Sequence, residues 1–310
     1  MKQISKSKIF ISILLITIFY ILLTIFSDID KIKVDYQNFN VFYFLPILPI
    51  LFLSMFLRSI LQKYMLKKLG IEIPLKSSFL IFLGGYAMIM TPGGIGLIIK
   101  SYLLQKKFGY KISQSLPLVF AERFYDIFAV QIIILFSLIS FHSDISIILS
   151  IIIIIGLILI LSIIKINKLN WILLSLAKKF KIIDDEQNND TYFLNSIKTL
   201  FEFKFFIIIS LIVLAIVFFE GVIFYLSFNI FGISISYVES LQIYYTSMLL
   251  GSITFLPAGI GAIEGIFVIL LSERNVSLHL ATSTILFIRF VSIWLLSGIG
   301  ALISIKMLFK

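Results

Sequence analysis

Apolar positions in this chain come in runs too long and too continuous to be one face of a soluble helix. Such runs fall at about 9–26, 41–61, 116–140, 145–164, 205–231 and 281–305. Each is near the roughly 20 residues that a helix rising 1.5 Å per residue needs to cross a hydrocarbon layer about 30 Å thick. Two more apolar stretches, 79–105 and 241–272, are interrupted in the middle by Thr91-Pro92-Gly93-Gly94-Ile95-Gly96 and by Leu256-Pro257-Ala258-Gly259-Ile260-Gly261. Proline removes a helical hydrogen bond and glycine admits positive φ, so each stretch predicts two short helices joined at a turn. The arm before the first break, residues 79–90, makes about 18 Å of helix, which enters a membrane without crossing it. The pattern predicts an all-α polytopic membrane protein with about six full transmembrane helices and two re-entrant Pro-Gly hairpins.

The flanking charges favour re-entrance. Of the 26 Lys and Arg, Arg58, Arg123 and Arg289 lie within spans and 23 remain. With both hairpins re-entrant, 20 of these face the cytoplasm and three, Lys31, Lys33 and Arg274, face out; with both crossing, the split is 14 to 9 at best. Cytoplasmic loops carry the excess of Lys and Arg, so the first arrangement is favoured, with both termini cytoplasmic in the cytoplasmic membrane. The first run follows Lys2, Lys6 and Lys8 like a secretory signal, but it is long and no small-residue cleavage site follows, so it is read as a retained helix.

The two breaks also mark a repeat. Pro92 and Pro257 stand 165 positions apart, and an intramembrane arginine follows each, Arg123 after 31 residues and Arg289 after 32. The 310 residues therefore read as one integral membrane domain built from two half-repeats of opposite topology, about 1–140 and 145–310. Inverted repeats with broken helices at mid-membrane are a recurring transporter design. Between the halves lies a cytoplasmic loop, about 165–204. Residues 170–183 suit a helix in the inner interface, and 184–190 read as a solvated polar turn rather than a cation site.

Composition narrows the function classes. The chain is 60% hydrophobic and only 14% charged, with a mean hydropathy of +1.11, which excludes a water-facing fold. Its net charge of +10 fits lysine-rich loops over anionic lipid rather than nucleic-acid binding. There is no cysteine, and the two histidines, His142 and His279, stand at span ends. No Ser/His/Asp set, metal-ligand cluster, P-loop or dinucleotide fingerprint can be read, so neither cofactor nor metal is expected.

An ionisable group inside a span is a functional candidate by default. Arg58, Glu122, Arg123, Asp126, Glu220, Glu264 and Arg289 qualify. Glu122 and Asp126 share a helical face, and Arg58 is close enough to Lys63 to snorkel. A helix restarting after Gly96 or Gly261 points free N–H groups into the membrane and can hold an anion, with Lys100 adding charge at the first break. Glu264 follows the second break closely, and a carboxylate there needs a cation nearby to stay ionised, which places Arg289 beside the Pro257–Glu264 tip.

Thr91-Pro92-Gly93-Gly94-Ile95-Gly96 with Lys100, then Ala121-Glu122-Arg123-Phe124-Tyr125-Asp126, resembles the lysylphosphatidylglycerol synthase transmembrane, or flippase-like, family. So does Leu256-Pro257-Ala258-Gly259-Ile260-Gly261-Ala262-Ile263-Glu264-Gly265 with Arg289 and Trp294, and Arg58 fits the same pattern. The likeness covers essentially the whole chain. It departs at Leu97, where members often carry an acid, and at Ala258, where glycine is common. The resemblance implies a translocase that binds or moves an anionic or phosphate-bearing membrane lipid. The implied substrate-binding residues are Arg58, Pro92, Gly93, Gly94, Gly96, Lys100, Glu122, Arg123, Asp126, Pro257, Gly259, Gly261, Glu264 and Arg289. It does not imply synthase activity, because the soluble synthase domain has no counterpart in these residues. The alternatives are a small-solute or ion transporter, a partner subunit presenting lipid to a separate glycosyltransferase or synthase, and a membrane-embedded transferase. The expected partners are membrane lipid and either further copies of the chain or a separate lipid-modifying enzyme.

The charge split makes a direct prediction. Because the chain has no native cysteine, single cysteines can be placed at will. One beside Lys106 is expected to react with an impermeant maleimide only from the cytoplasm, and one beside Arg274 only from outside. Reaction from outside beside Lys106 contradicts the re-entrant arrangement.

Overall fold

The computed structural model describes residues 19–89, 91, 97–139, 153–156, 174, 175, 178, 187–254 and 256–308. The tip of the first break (Pro92, Gly93, Gly94 and Gly96), His142, nearly all of the 145–164 run and most of the 165–186 segment lie outside the described residues. All the extended regular structure among the described residues is helical. After a helix over 19–26, the main elements are α1 (Ile29–Gln37), α2 (Ile47–Lys68), α3 (Leu75–Gly85), α4 (Ile99–Phe108), α5 (Ile112–Ile139), α6 (Gln187–Leu200), α7 (Phe203–Ile230), α8 (Tyr237–Ser252), α9 (Ala262–Ser272), α10 (Leu278–Arg289) and α11 (Leu295–Leu308).

Three stretches, Val41–Lys68, Phe203–Ile230 and Leu278–Leu308, are long and apolar enough to cross a membrane. Helix α5 matches them in length but carries Glu122, Arg123 and Asp126. Large apolar side chains stay exposed along these helices, among them Phe52 and Phe56 on α2, Leu211 and Phe218 on α7, and Leu302 and Ile305 on α11. An apolar exterior of this extent is stable against lipid tails and not against water. With the family likeness, it makes this a helical membrane protein.

The same stop signal ends the spanning helix in both halves. At the end of α2, Gly70 takes φ +74, its N–H donates to Lys67 O and Ile71 N–H donates to Leu66 O. At the end of α7, Gly232 takes φ +73, its N–H donates to Asn229 O and Ile233 N–H donates to Phe228 O. Both are Schellman caps, with glycine at the one position that must be left-handed. A Gly-Ile-x-Ile segment then leads into the next helix in each case, Gly70-Ile71-Glu72-Ile73 and Gly232-Ile233-Ser234-Ile235.

The broken stretches fold into helical hairpins. In the first, Gly85 lies against Lys100, Gly84 against Leu103, and the Ser77 hydroxyl 3.3 Å from Lys107 Nζ, so α3 and α4 run antiparallel. In the second, Gly251 lies against Ile263 and Glu239 pairs with Arg274 at the far end, so α8 and α9 do the same. The helices begin earlier than apolarity alone suggests, at Leu75 and Tyr237. The second gains from Ser236 and Glu239, which cap each other's backbone N–H groups.

Each hairpin packs across to the opposite half: α3 lies against α11, and α8 against α5. The first crossing is tight enough to require Gly300, since a Cβ there would fall 2.5 Å from Leu83 O and 2.7 Å from Ala87 N. In the connecting segment, the stretch read as a polar turn gives way to helix from Gln187 onward. Asp190, in the first turn of α6, pairs with Lys178 at 2.7 Å.

Candidate functional site

Four helices bring ionisable groups together around one small cleft. Arg58, ten residues before the end of α2, donates from Nε and Nη2 to the two oxygens of Glu220 on α7, at 2.6 and 2.7 Å. Its Nη1 donates to Asp126 Oδ1 on α5 at 2.7 Å. Rather than snorkelling, Arg58 is the bridge between α2, α5 and α7, and its two-pronged contact with Glu220 uses the planar geometry that lysine lacks.

Beside it, Lys100 is 1% exposed, yet its Nζ reaches Glu122 Oε2 at 2.7 Å and lies 4.2 Å from the centre of the Phe82 ring. Gly85 makes room for it, because a Cβ there would stand 2.6 Å from Lys100 Cε. Lys100 therefore leaves the count of cytoplasmic charges. This lowers the inside total by one without changing its sense.

The cleft itself is small and partly open, enclosing room for about one water molecule, and is bounded by Arg58, Gln62, Glu122, Arg123 and Asp126, with apolar walls including Met65, Phe82 and Val213. Two buried polar atoms there have no hydrogen-bond partner among the described residues, Gln62 Oε1 and Arg123 Nε. The amide of Gln62 is held by Ser78, whose carbonyl and hydroxyl oxygens lie 3.1 Å from Nε2. A carbonyl only accepts, so Nε2 must face Ser78 and Oε1 must turn away from it. Arg123 keeps a loose 3.6 Å contact with Asp126 and is 37% exposed, the least satisfied cation of the cluster.

The second break is built differently. Glu264 is 0% exposed, and its carboxylate receives three donors: Gly261 N–H at 2.7 Å, Arg289 Nε at 2.7 Å and Tyr20 O–H at 2.9 Å. Arg289 Nη2 donates onward to Ala258 O at 2.6 Å. The expected closeness of the Pro257–Glu264 tip to Arg289 is found. At this helix start the Gly261 N–H is already taken by Glu264 of the same helix. The tip turns through Ala258 at φ 51, Gly259 at φ 65 and Gly261 at φ 91. For Ala258, a residue with a Cβ, that left-handed backbone costs roughly 1–2 kcal/mol. The Arg289 bond to its carbonyl helps to hold it.

A third cluster lies away from both breaks and was invisible in the sequence. Asp35 on α1 accepts from Ser283 Oγ at 2.7 Å and sits 3.0 Å from His279 Nδ1, while His279 Nε2 sits 3.0 Å from Ser277 Oγ. It clasps α1 onto the start of α10. Among the described residues no group of three or more His, Cys, Asp or Glu could hold a metal.

Residues 9–300 match the model of the family described as "Lysylphosphatidylglycerol synthase TM region". Among curated proteins, the chain is similar to a "UPF0104 membrane protein" of Methanothermobacter thermautotrophicus, 33% identical over 76 residues. That match covers 24% of this chain and 22% of the other protein's length.

The Glu264–Arg289 pair yields a stability prediction. Breaking a buried pair costs about 3–5 kcal/mol, because the survivor keeps an uncompensated charge, whereas removing both charges is often milder. Glu264→Gln and Arg289→Gln are each expected to lower thermal stability in detergent sharply, and the double change to recover much of the loss. Additive losses across this double-mutant cycle would show that the two do not act as a pair.

Proposed function

We propose that this chain, which belongs to the lysylphosphatidylglycerol synthase transmembrane region family, is a lipid translocase of the cytoplasmic membrane that binds an anionic or phosphate-bearing head group. The observation that carries this reading is the cleft beside Arg58. It combines an under-satisfied arginine, an orphan acceptor and apolar walls deep within a helical membrane protein. Arg58 stands ten residues from the end of α2, about 15 Å of helix, which is near the middle of a hydrocarbon layer about 30 Å thick. A polar pocket at that depth has to be worth its desolvation, and a head group in transit is a fitting occupant.

The topology that goes with this reading has six full spans, both hairpins re-entrant, halves 1–140 and 145–310 inverted, and both termini cytoplasmic. It is supported by the antiparallel arms of each hairpin, by the matched caps at Gly70 and Gly232, and by the excess of lysine and arginine on one side. The cleft is then reached from the cytoplasmic half of the membrane. The second tip, with Glu264 and Arg289 satisfied by each other and by backbone, acts as the closed gate on the other side. The partner is membrane lipid, with further copies of the chain or a separate lipid-modifying enzyme as the route by which product is supplied or removed.

Arg123 provides the test. In proteoliposomes loaded with acyl-chain-labelled phospholipid, Arg123→Gln is expected to lower translocation at least about tenfold, the scale of one lost charge-assisted contact. Insertion and thermal stability should be little changed, since Arg123 is partly exposed and loosely held. Arg123→Lys is expected to retain part of the rate, because a point charge replaces a two-pronged donor. A Gln variant moving lipid at the normal rate would make Arg123 structural and remove it from the site.

A further inference from the structure

The charges around the cleft cancel. Arg58, Lys100 and Arg123 supply three positive charges, and Glu122, Asp126 and Glu220 supply three negative ones. None of the residues of the neighbouring first break is charged. A phosphodiester brought alone into this neutral, poorly hydrated pocket would add an uncompensated negative charge. A head group carrying its own cation adds none. The unused hydrogen-bonding capacity points the same way. Arg123 Nε is a donor without an acceptor, and Gln62 Oε1, on a residue 1% exposed, is an acceptor without a donor. Arg58 and Lys100 are already taken up by carboxylates at 2.6–2.7 Å.

We infer that the cleft selects a zwitterionic head group, a phosphate for Arg123 joined to a primary ammonium whose N–H groups serve Gln62 Oε1 beside the Glu122 carboxylate. The phosphoethanolamine class is the simplest ligand with both features. Phosphoglycerol has the donor and lacks the cation. Phosphocholine has the cation and no N–H to give, so Gln62 Oε1 would stay unsatisfied. This selectivity rests on the lipid reading above and adds to it the chemistry of the head group.

The test varies the ligand before the protein. Delipidated full-length protein in detergent is offered equimolar phosphatidylethanolamine, its mono- and dimethyl derivatives, phosphatidylcholine and phosphatidylglycerol, all with the same acyl chains, and bound lipid is counted by native mass spectrometry. Phosphatidylethanolamine is expected to exceed phosphatidylcholine and phosphatidylglycerol each by about tenfold, with binding falling stepwise as methyl groups replace N–H. Gln62→Leu, checked for thermal stability, is expected to abolish the difference between phosphatidylethanolamine and phosphatidylcholine and to weaken phosphatidylglycerol, whose hydroxyl loses the same acceptor. If Gln62→Leu fails to fold, the methylation series decides alone.

Binding of phosphatidylglycerol at or above phosphatidylethanolamine, or indifference to methylation, overturns the selectivity and leaves a lipid site standing. Failure to retain any lipid overturns both. Displacement of bound lipid by soluble phosphoethanolamine at comparable concentration would keep the head-group chemistry but contradict the lipid reading in favour of a small-solute site.

Discussion

An arginine in hydrocarbon has to be neutralised where it stands, and much of the packing around Arg58 follows from that constraint. Its guanidinium is shared between Glu220 on α7 and Asp126 on α5, with contacts of 2.6–2.7 Å. Helices from both ends of the sequence are thereby fixed around one point. Lipid tails are as apolar as leucine, so association between spans gains little from the hydrophobic effect and depends on close packing and on polar contacts of this kind. Loss of Arg58 would leave two carboxylates facing each other in a low-dielectric interior. The three helices would lose the contact that joins them.

Around that centre the two hairpins are arranged alike and charged in opposite sense. In each, a buried residue shortly after the break pairs at 2.7 Å with the long helix that follows: Lys100 with Glu122 in the first, Glu264 with Arg289 in the second. The cation sits on the hairpin in one case and on the following helix in the other. Each first arm, meanwhile, packs against the last long helix of the other half. Each hairpin is thus held by an ion pair to the long helix that follows it, and the first is also held to the last helix by the Ser304 hydroxyl, which donates to Gly84 O at 2.9 Å. The second pair is almost fully buried, whereas Glu122 of the first lines the cleft.

Much of this was legible from residue order alone. Long apolar runs located the three membrane-length helices over Val41–Lys68, Phe203–Ile230 and Leu278–Leu308, Pro-Gly breaks located the hairpins, and the demand that Glu264 have a counter-charge led to Arg289. What escaped has physical causes. The partner of Arg58, Glu220, lies 162 positions away, and no periodicity reports a contact between distant helices. Asp35 and His279 are 244 positions apart and escaped for the same reason. Gln62 is uncharged and so drew no attention, although its buried acceptor is the most informative atom in the cleft. Lys100 was a candidate for the anion site, but its burial and its pairing with Glu122 escaped, because they depend on the missing side chain of Gly85 and on a contact between helices. One signal was present and unused: the Gly-Ile-x-Ile segments at Gly70 and Gly232 each follow the cap of a long apolar helix.

The central claim, that a head group sits among these charges between two hairpins that both turn back inside the membrane, is tested most directly by an experimental structure in lipid nanodiscs. The account predicts both hairpin tips within the hydrocarbon layer, each pair of arms leaving on the side it entered, and head-group density in the cleft with its phosphate against Arg123. A hairpin whose arms emerge on opposite faces, or a cleft closed by its own side chains with lipid bound elsewhere, would contradict it.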